Sequence, residues 1–212
     1  MTRRFLPVLV LVGALLLPAC ATTKNFIIAP IDSVQPLQSD ERKTFCTAFS
    51  IHQRLGYWAT ARHCVEAAEA HQSAMFIHNE HAVIVYKDEF SDLAILQSIS
   101  RAPALRLASE APKVGAFLEV RGFPYGLPKM VTTRGIIAAR HIPIYHSGAN
   151  RYEVSDILDL TVAGGNSGSP VLDENGHVVG ILWGAFRDAP LSVAVPWENL
   201  VRAFGSVVAI LD

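Results

Sequence analysis

The sequence of 212 residues predicts an all-β protein, either a sandwich or a barrel. From residue 44 onward, short segments rich in β-branched and aromatic residues follow one another, and Gly, Pro, Asn or Asp separates them. The Asp-Glu-Asn-Gly run at 173–176 is typical of a hairpin turn. The predicted strands are 44–51, 57–61, 74–79, 81–87, 93–99, 117–123, 130–140, 151–160, 169–186 (two strands around that turn) and 191–196.

One helix is expected near the end of the chain. Pro196 lies at its first turn, and apolar residues follow at the spacing of one helical face. Gly205 is expected to end this helix, because glycine is common just past a helix C-terminus. The sequence therefore predicts many strands and a short C-terminal helix.

The charge pattern excludes one class of partner. Charged residues make up 17% of the chain, the formal net charge is −1, and no run of one sign occurs. Without a basic stripe, no nucleic-acid partner is expected. His78 and His81 are close in sequence, but their spacing does not match a zinc motif and no cysteine or carboxylate cluster accompanies them. We expect neither a metal nor another cofactor.

Residues 1–19 are typical of an export signal. Two arginines precede an apolar run of thirteen residues, Phe5–Leu17, which is too short to span a hydrocarbon core of about 30 Å. Cys20 follows, and a cysteine at this point resembles the cleavage box of bacterial lipoproteins. This predicts a lipid anchor on Cys20; the alternative is an ordinary secretory signal cleaved near Ala19 or Ala21.

The lipoprotein resemblance implies a location. Residues 20–43 contain two prolines and a charged end, so they are expected to form a tether. Ala21 stands where an aspartate would favour the inner membrane in enterobacterial sorting. We therefore expect an outer-membrane lipoprotein whose body faces the periplasm. In that oxidising setting the two remaining cysteines, Cys46 and Cys64, predict one disulfide, with two free buried thiols as the alternative.

Three residues have the chemistry of a nucleophilic hydrolase. Ser167 lies in the glycine-rich stretch 162–171, His63 follows a strand-like segment, and Asp92 directly precedes a buried strand. A serine nucleophile needs a histidine base and a group that orients it. The order His, Asp, Ser excludes the α/β-hydrolases, in which Ser comes first. Asp88 and Glu89 are rivals to Asp92, and the family resemblance described next favours Asp92 because it directly precedes the apolar strand.

Five motifs in chain order resemble the trypsin-like serine proteases, in particular the bacterial high-temperature-requirement (Do-like) branch. The resemblance implies two antiparallel six-stranded β-barrels, the first over 44–108 and the second over 109–212 with the C-terminal helix. His63 and Asp92 would lie on the first barrel and Ser167 on the second. The motifs are FC…TARHC, SDLAIL, VGAFLEVRGFPYGLPKMVTTRGIIAA, GGNSGSPV and SVAVPWENLV.

The resemblance also implies roles for single residues. The backbone N–H groups of Gly165 and Ser167 would form the oxyanion hole. Thr161, six residues before Ser167, would lie at the base of the primary specificity pocket. The segment Leu182, Trp183 and Gly184 would pair with the substrate backbone, and the pocket would take uncharged, small-to-medium apolar side chains.

Three functions are weighed. The implied activity is a serine endopeptidase that cleaves protein or peptide substrates through an acyl-enzyme. A catalytically silent protease fold, tethered to the membrane as a binding module, is the alternative from another class. An esterase of small esters is the third, because the same three residues perform that reaction.

Overall fold

The computed structural model describes residues 30–147 and 150–209, so the predicted export signal, Cys20 and the start of the tether lie outside the described residues. Twelve strands and two α-helices make up this part, and the predicted all-β class is confirmed. No helix within these ranges is long and apolar enough to cross a bilayer. The bounds are β1 Val34–Gln38, β2 Thr44–His52, β3 Tyr57–Thr60, α1 Arg62–Ala70, β4 Met75–Ile77, β5 Glu80–Lys87, β6 Ala94–Ser98, β7 Phe117–Gly122, β8 Val131–His146, β9 Arg151–Asp159, β10 Pro170–Leu172, β11 Val178–Ala185, β12 Leu191–Pro196 and α2 Trp197–Ala209.

The strands form two closed barrels of six antiparallel strands each. In the first the order is β1-β2-β3-β6-β5-β4, and the pair Gln38–Phe76 closes it. In the second the order is β10-β11-β12-β9-β8-β7, and β10 pairs with β7. Closure covers most of the sheet edges, although β1 and β4 pair only at Gln38 and Phe76. The chain passes between the barrels after Leu105, whose N–H donates to Ser50 of β2, and before Ala108, whose N–H donates to Val178 of β11.

The tether prediction is wrong for residues 34–38, because strand β1 is part of the first barrel. Val34 and Leu37 are buried, and Pro36 pairs with Thr47 of β2. Proline is tolerated here because β4 pairs with β1 only at Gln38, so most of that side of β1 makes no ladder. The first barrel therefore begins ten residues before the predicted start at 44, as its first strand begins at Val34.

Helix α1 was not expected from the sequence, and it carries a candidate site residue. It begins at Arg62 directly after β3, and it buries Cys64, Val65 and Ala68 against the first barrel. The sequence predicts that the second helix, α2, ends at Gly205. In the structure it continues to Ala209. A Cβ on Gly205 would meet nothing within 4 Å, so this glycine is neither strained nor crowded.

Candidate active site

The first barrel holds a histidine and an aspartate in direct contact. Asp92 lies in the loop between β5 and β6 and is fully buried, whereas His63 lies in the first turn of α1 and its side chain is 31% exposed. One carboxylate oxygen accepts the His63 backbone N–H at 2.7 Å, and the other lies 2.5 Å from Nδ1 of the ring. Since a carboxylate only accepts hydrogen bonds, Nδ1 carries a proton, and in the neutral ring Nε2 is then the acceptor.

Electrostatics favour the charged forms of this pair. Burial works to lower the pKa of His63, but the hydrogen bond and the negative charge of Asp92 outweigh it, so the pKa lies above the ordinary value. Burial works to raise the pKa of Asp92, but the hydrogen bonds and charge of His63 hold that pKa below its usual range. Asp92 therefore stays ionised and orients the histidine.

Ser167 lies in a loop of the second barrel whose backbone requires glycine at two positions. Gly165 has a φ of +94°, and a Cβ there would lie 2.4 Å from the carbonyl oxygen of Phe123. Gly168 has a φ of +85°, and a Cβ there would lie 2.1 Å from the carbonyl oxygen of Thr47. Alanine at either position would be both strained and obstructed by backbone.

The disulfide predicted from the cysteine count is present and lies between the two halves of the site. Cys46 of β2 and Cys64 of α1 are joined with an S–S distance of 1.98 Å. The Cys64 sulfur lies 3.7 Å from Nε2 of His63 and 3.9 Å from the carbonyl oxygen of Ser167. His63 and the loop that carries Ser167 therefore share the Cys64 sulfur as a neighbour.

Two amides of the loop are available as donors. The Gly164 carbonyl accepts the N–H of Tyr125 at 2.6 Å, and the Asn166 carbonyl accepts the N–H of Ser169 at 2.9 Å. In a planar trans peptide the following N–H points the opposite way, so the N–H groups of Gly165 and Ser167 point away from these partners. Neither N–H has an acceptor among residues 30–147 and 150–209. They match the two donors that the resemblance implies for an oxyanion hole.

A cavity of about 370 Å³ adjoins Ser167 and has mostly apolar walls. Of the predicted substrate-binding residues, Leu182 and Gly184 line it, and the buried Trp183 between them does not. Its other walls are Val162, Ala163, Gly164, Ala185, Phe186 and Arg187.

The placement of Thr161 at the base of this cavity is corrected. Thr161 is exposed and does not line the cavity, whereas its neighbour Val162 does. The prediction counted back from Ser167 along the family pattern, but β9 ends at Asp159 and residues 160–163 belong to no strand, so that count does not fix which side chain enters the cavity. Val162 nevertheless supplies an apolar wall, as expected for this pocket.

Of the two rivals to Asp92, Asp88 has other partners and Glu89 is exposed. Asp88 is buried, but its carboxylate accepts hydrogen bonds from Tyr86, Ser91 and Arg202 rather than from His63. His78, considered above for a metal, lies 2.8 Å from the Ser100 hydroxyl through Nδ1. Asp92 is therefore the carboxylate that orients the histidine.

Within the described part of the chain, two groups of three side chains have metal-ligand atoms close together. The first contains Cys46 and Cys64 with His63, and its sulfurs are held in the disulfide rather than free as thiolates. The second contains His63, Asp92 and His146. In that group both Asp92 oxygens accept hydrogen bonds from His63. These hydrogen bonds explain why the Asp92 and His63 atoms lie close together, and no metal is needed to explain it.

Sequence reasoning missed three contributors to the site. Thr47 of β2 donates its N–H to the Ser167 carbonyl and its hydroxyl to the Gly165 carbonyl, both at 2.8 Å. Tyr125 holds the Gly164 carbonyl through its backbone. His146, at the end of β8, lies beside Asp92. The first two act through the backbone or a common side chain, so they have no motif by which a sequence identifies them.

Comparison with known proteins places this geometry in a family. The model of the trypsin-like peptidase domain matches residues 46–181. The pro-apoptotic serine protease NMA111 of Ajellomyces capsulatus is 31% identical over 169 residues, which cover 74% of this chain and 16% of that protein. A probable periplasmic serine endoprotease, DegP-like, of Halomonas elongata is 32% identical over 184 residues, which cover 80% of this chain and 37% of that protein. The chain thus spans well under half the length of these relatives.

Solved structures agree on the fold. The inactive form of Rv3671c from M. tuberculosis H37Rv superposes with a TM-score of 0.67 at 24% identity, over 85% of this chain and 89% of that one. At this identity the likeness shows the fold alone. The family match spans more than half of the chain and includes His63, Asp92 and Ser167. The chain therefore belongs to the family of trypsin-like peptidase domains.

Proposed function

We propose that the protein is a serine endopeptidase whose catalytic triad is His63, Asp92 and Ser167. The observation that carries this proposal is the commitment of both Asp92 oxygens to His63, which fixes the ring with its proton on Nδ1. That tautomer presents Nε2 as a base on the side of the ring where the Cys64 sulfur and the Ser167 loop lie. A nucleophile beside an oriented base is the arrangement that acyl transfer needs.

The reaction follows from these positions. Nε2 of His63 takes the proton of the Ser167 hydroxyl as its oxygen bonds to the carbonyl carbon of the substrate. The charge on the substrate oxygen is met by the N–H groups of Gly165 and Ser167. His63 then donates its proton to the amide nitrogen as the C–N bond breaks, which leaves an ester on Ser167 and a free amine. Water, deprotonated by His63, releases the acid and restores Ser167.

The cavity supports a preference for uncharged, small-to-medium apolar side chains. Val162, Ala163 and Leu182 form apolar walls, while Gly164 and Gly184 add no side chain to narrow the space. No buried carboxylate lies among the cavity residues, so a long cationic side chain would lose its hydration without a charged partner there. The backbone of Trp183 and Gly184 is proposed to pair with the substrate as an added strand.

The test uses an active-site probe and one substitution. A fluorophosphonate should label the wild-type full chain, and a mixture of denatured proteins should be cut after small apolar residues. Ser167→Ala should lose labelling and lose turnover on the order of 10⁶-fold, because the triad acts as a unit. A folded wild type that is neither labelled nor active would support the silent binding module instead, and cleavage of esters without peptides would support the esterase.

We further propose that the body is held in the bacterial envelope as an outer-membrane lipoprotein. Cys20 at the end of a short apolar run motivates this proposal, and the Halomonas elongata relative is named as periplasmic. Cys20→Ser should release the protein from the membrane fraction of cells. Membrane association that survives this change would contradict the lipid anchor.

A further inference from the structure

A second histidine lies against the catalytic carboxylate. His146 ends β8, and its side chain is only 12% exposed. Its Nε2 lies 3.9 Å from the Asp92 oxygen that accepts the His63 ring N–H. The two rings meet edge to face, with centroids 5.9 Å apart. Asp92 therefore lies between two imidazoles, one from each barrel.

The other side of His146 meets a second buried carboxylate and an aromatic ring. Nδ1 lies 3.7 Å from Oε1 of Glu153, which is buried on β9. The imidazole also packs on the indole of Trp183, with centroids 4.7 Å apart and a tilt of 50°. A cation within about 6 Å of an indole centroid is attracted to the ring face. These contacts hold His146 in place between two buried carboxylates.

The remaining charges around His146 lie on Glu153. Arg151 of β9 places nitrogens 2.9 Å from the same Oε1, and Arg62 of α1 reaches it at 3.3 Å. Arg62 directly precedes His63 in α1, so the charged groups around Glu153 also contact the helix that carries the proposed base. The charged groups that face His146 are thus Asp92 from the β5–β6 loop, His63 from α1, and Glu153 with its two arginine partners.

With the proposed peptidase activity as its basis, we propose that His146 is a positioning residue which, as an imidazolium, links Asp92 to Glu153 and keeps His63 in its neutral form. Both ring nitrogens donate only in the imidazolium, and each one faces a carboxylate oxygen within 4 Å. The buried Nδ1 has no hydrogen-bond partner within the described ranges, so small movements decide whether it donates to Glu153.

The consequence follows from charge repulsion. In this proposal a positive His146 partly neutralises Asp92 and repels a proton on His63. The enzyme then keeps its base unprotonated at a lower pH than the His63–Asp92 pair alone would allow. Two unit charges 5.9 Å apart displace the pH of an ionisation by about 0.5 pH units if the dielectric constant is that of water. The displacement is about 2 pH units if the effective dielectric constant is about 20.

The test compares pH profiles of two variants and a matched control. His146→Phe keeps an aromatic ring on Trp183 and removes both nitrogens, whereas His146→Gln removes the ring and keeps a polar group. In both, the acid limb of kcat/KM should move to higher pH by about 0.5 to 2 pH units, with little change in the plateau at high pH. His141→Gln, an exposed histidine of the same strand paired with Glu198, should leave the limb unchanged.

A second readout separates this inference from the proposed function. The ring resonances of His63 in the full chain, followed by NMR from pH 4 to 9, should show the same upward displacement in His146→Phe. If the His63 titration moves to higher pH in His146→Phe but the wild-type protein has no peptidase activity, the inference about the charge of His146 stands and the proposed function is overturned. An acid limb and a His63 titration that coincide with wild type in both variants would overturn the inference while the peptidase assignment stands.

Discussion

Replacing Gly165 with alanine tests whether the serine loop is built around an oxyanion hole. The new Cβ would lie 2.4 Å from the Phe123 carbonyl oxygen and 3.2 Å from the Tyr125 nitrogen, both backbone atoms. A φ of +94° also disfavours any L side chain. To relieve the clash, the peptide between Gly164 and Gly165 must rotate, which breaks the hydrogen bond from Tyr125 and turns the Gly165 N–H away from the cleft. One of the two donors is then lost.

Loss of one such donor lowers turnover by about 10²–10³-fold, or about 2.7–4 kcal/mol of transition-state stabilisation. The assay is kcat/KM on a peptide substrate, with thermal unfolding to verify the fold. Gly115→Ala is the matched control: Gly115 also has a positive φ, +82°, but a Cβ there meets nothing within 4 Å and lies outside the site. It should lose about 1 kcal/mol of stability and keep its activity. If Gly165→Ala retains wild-type kcat/KM, the oxyanion assignment is refuted.

The remaining predictions concern pH and stability. Because the pKa of His63 lies above its ordinary value and the ring must be neutral to act, kcat/KM should still be rising at pH 6.5; a plateau reached at pH 5 would contradict a histidine base. Joint replacement of Cys46 and Cys64 by alanine should lower the free energy of unfolding in urea by about 3 kcal/mol, and an unchanged midpoint would count against the bridge. Arg202→Ala should cost about 1–2 kcal/mol at pH 7. Burial works to raise the pKa of Asp88, but hydrogen bonds from Ser91, Tyr86 and Arg202 hold it below its usual range, so this cost should shrink as the pH falls through that pKa; a cost that stays the same once the Asp88 carboxyl is protonated would rule out the ion pair.

The features that the sequence predicts are those with a local cause. The segments rich in β-branched residues predict the strands, and the glycines around Ser167 predict an unusual backbone conformation. The structure gives the reason: at Gly165 and Gly168 a side chain would collide with the backbone of another segment. A signal of this kind is visible in sequence because the constraint acts on the residue itself.

The features that the sequence does not predict depend on distant segments or on weak local signals. Helix α1 has only nine residues, too few to show a periodicity that competes with the strand-like segment before it. Pro36 argues against a strand in isolation, and only the open side of β1 makes it acceptable. The contact of His146 with Asp92 joins residues 54 positions apart, and it exists because the long β8–β9 hairpin reaches back to the first barrel. No spacing rule along the chain reports such a contact.

Two consecutive residues of β2 contribute to the registration of the two barrels. Cys46 is bonded to Cys64, which directly follows His63, so β2 fixes the backbone of the base. Thr47, fully buried, holds the carbonyls of Gly165 and Ser167 and accepts the N–H of Phe123, so β2 also fixes the nucleophile loop. Because neighbouring residues of a strand point to opposite faces, one strand can hold the histidine with one residue and the serine with the next. The proposed triad is divided between the two barrels, and β2 contributes to the position of both its base and its nucleophile loop.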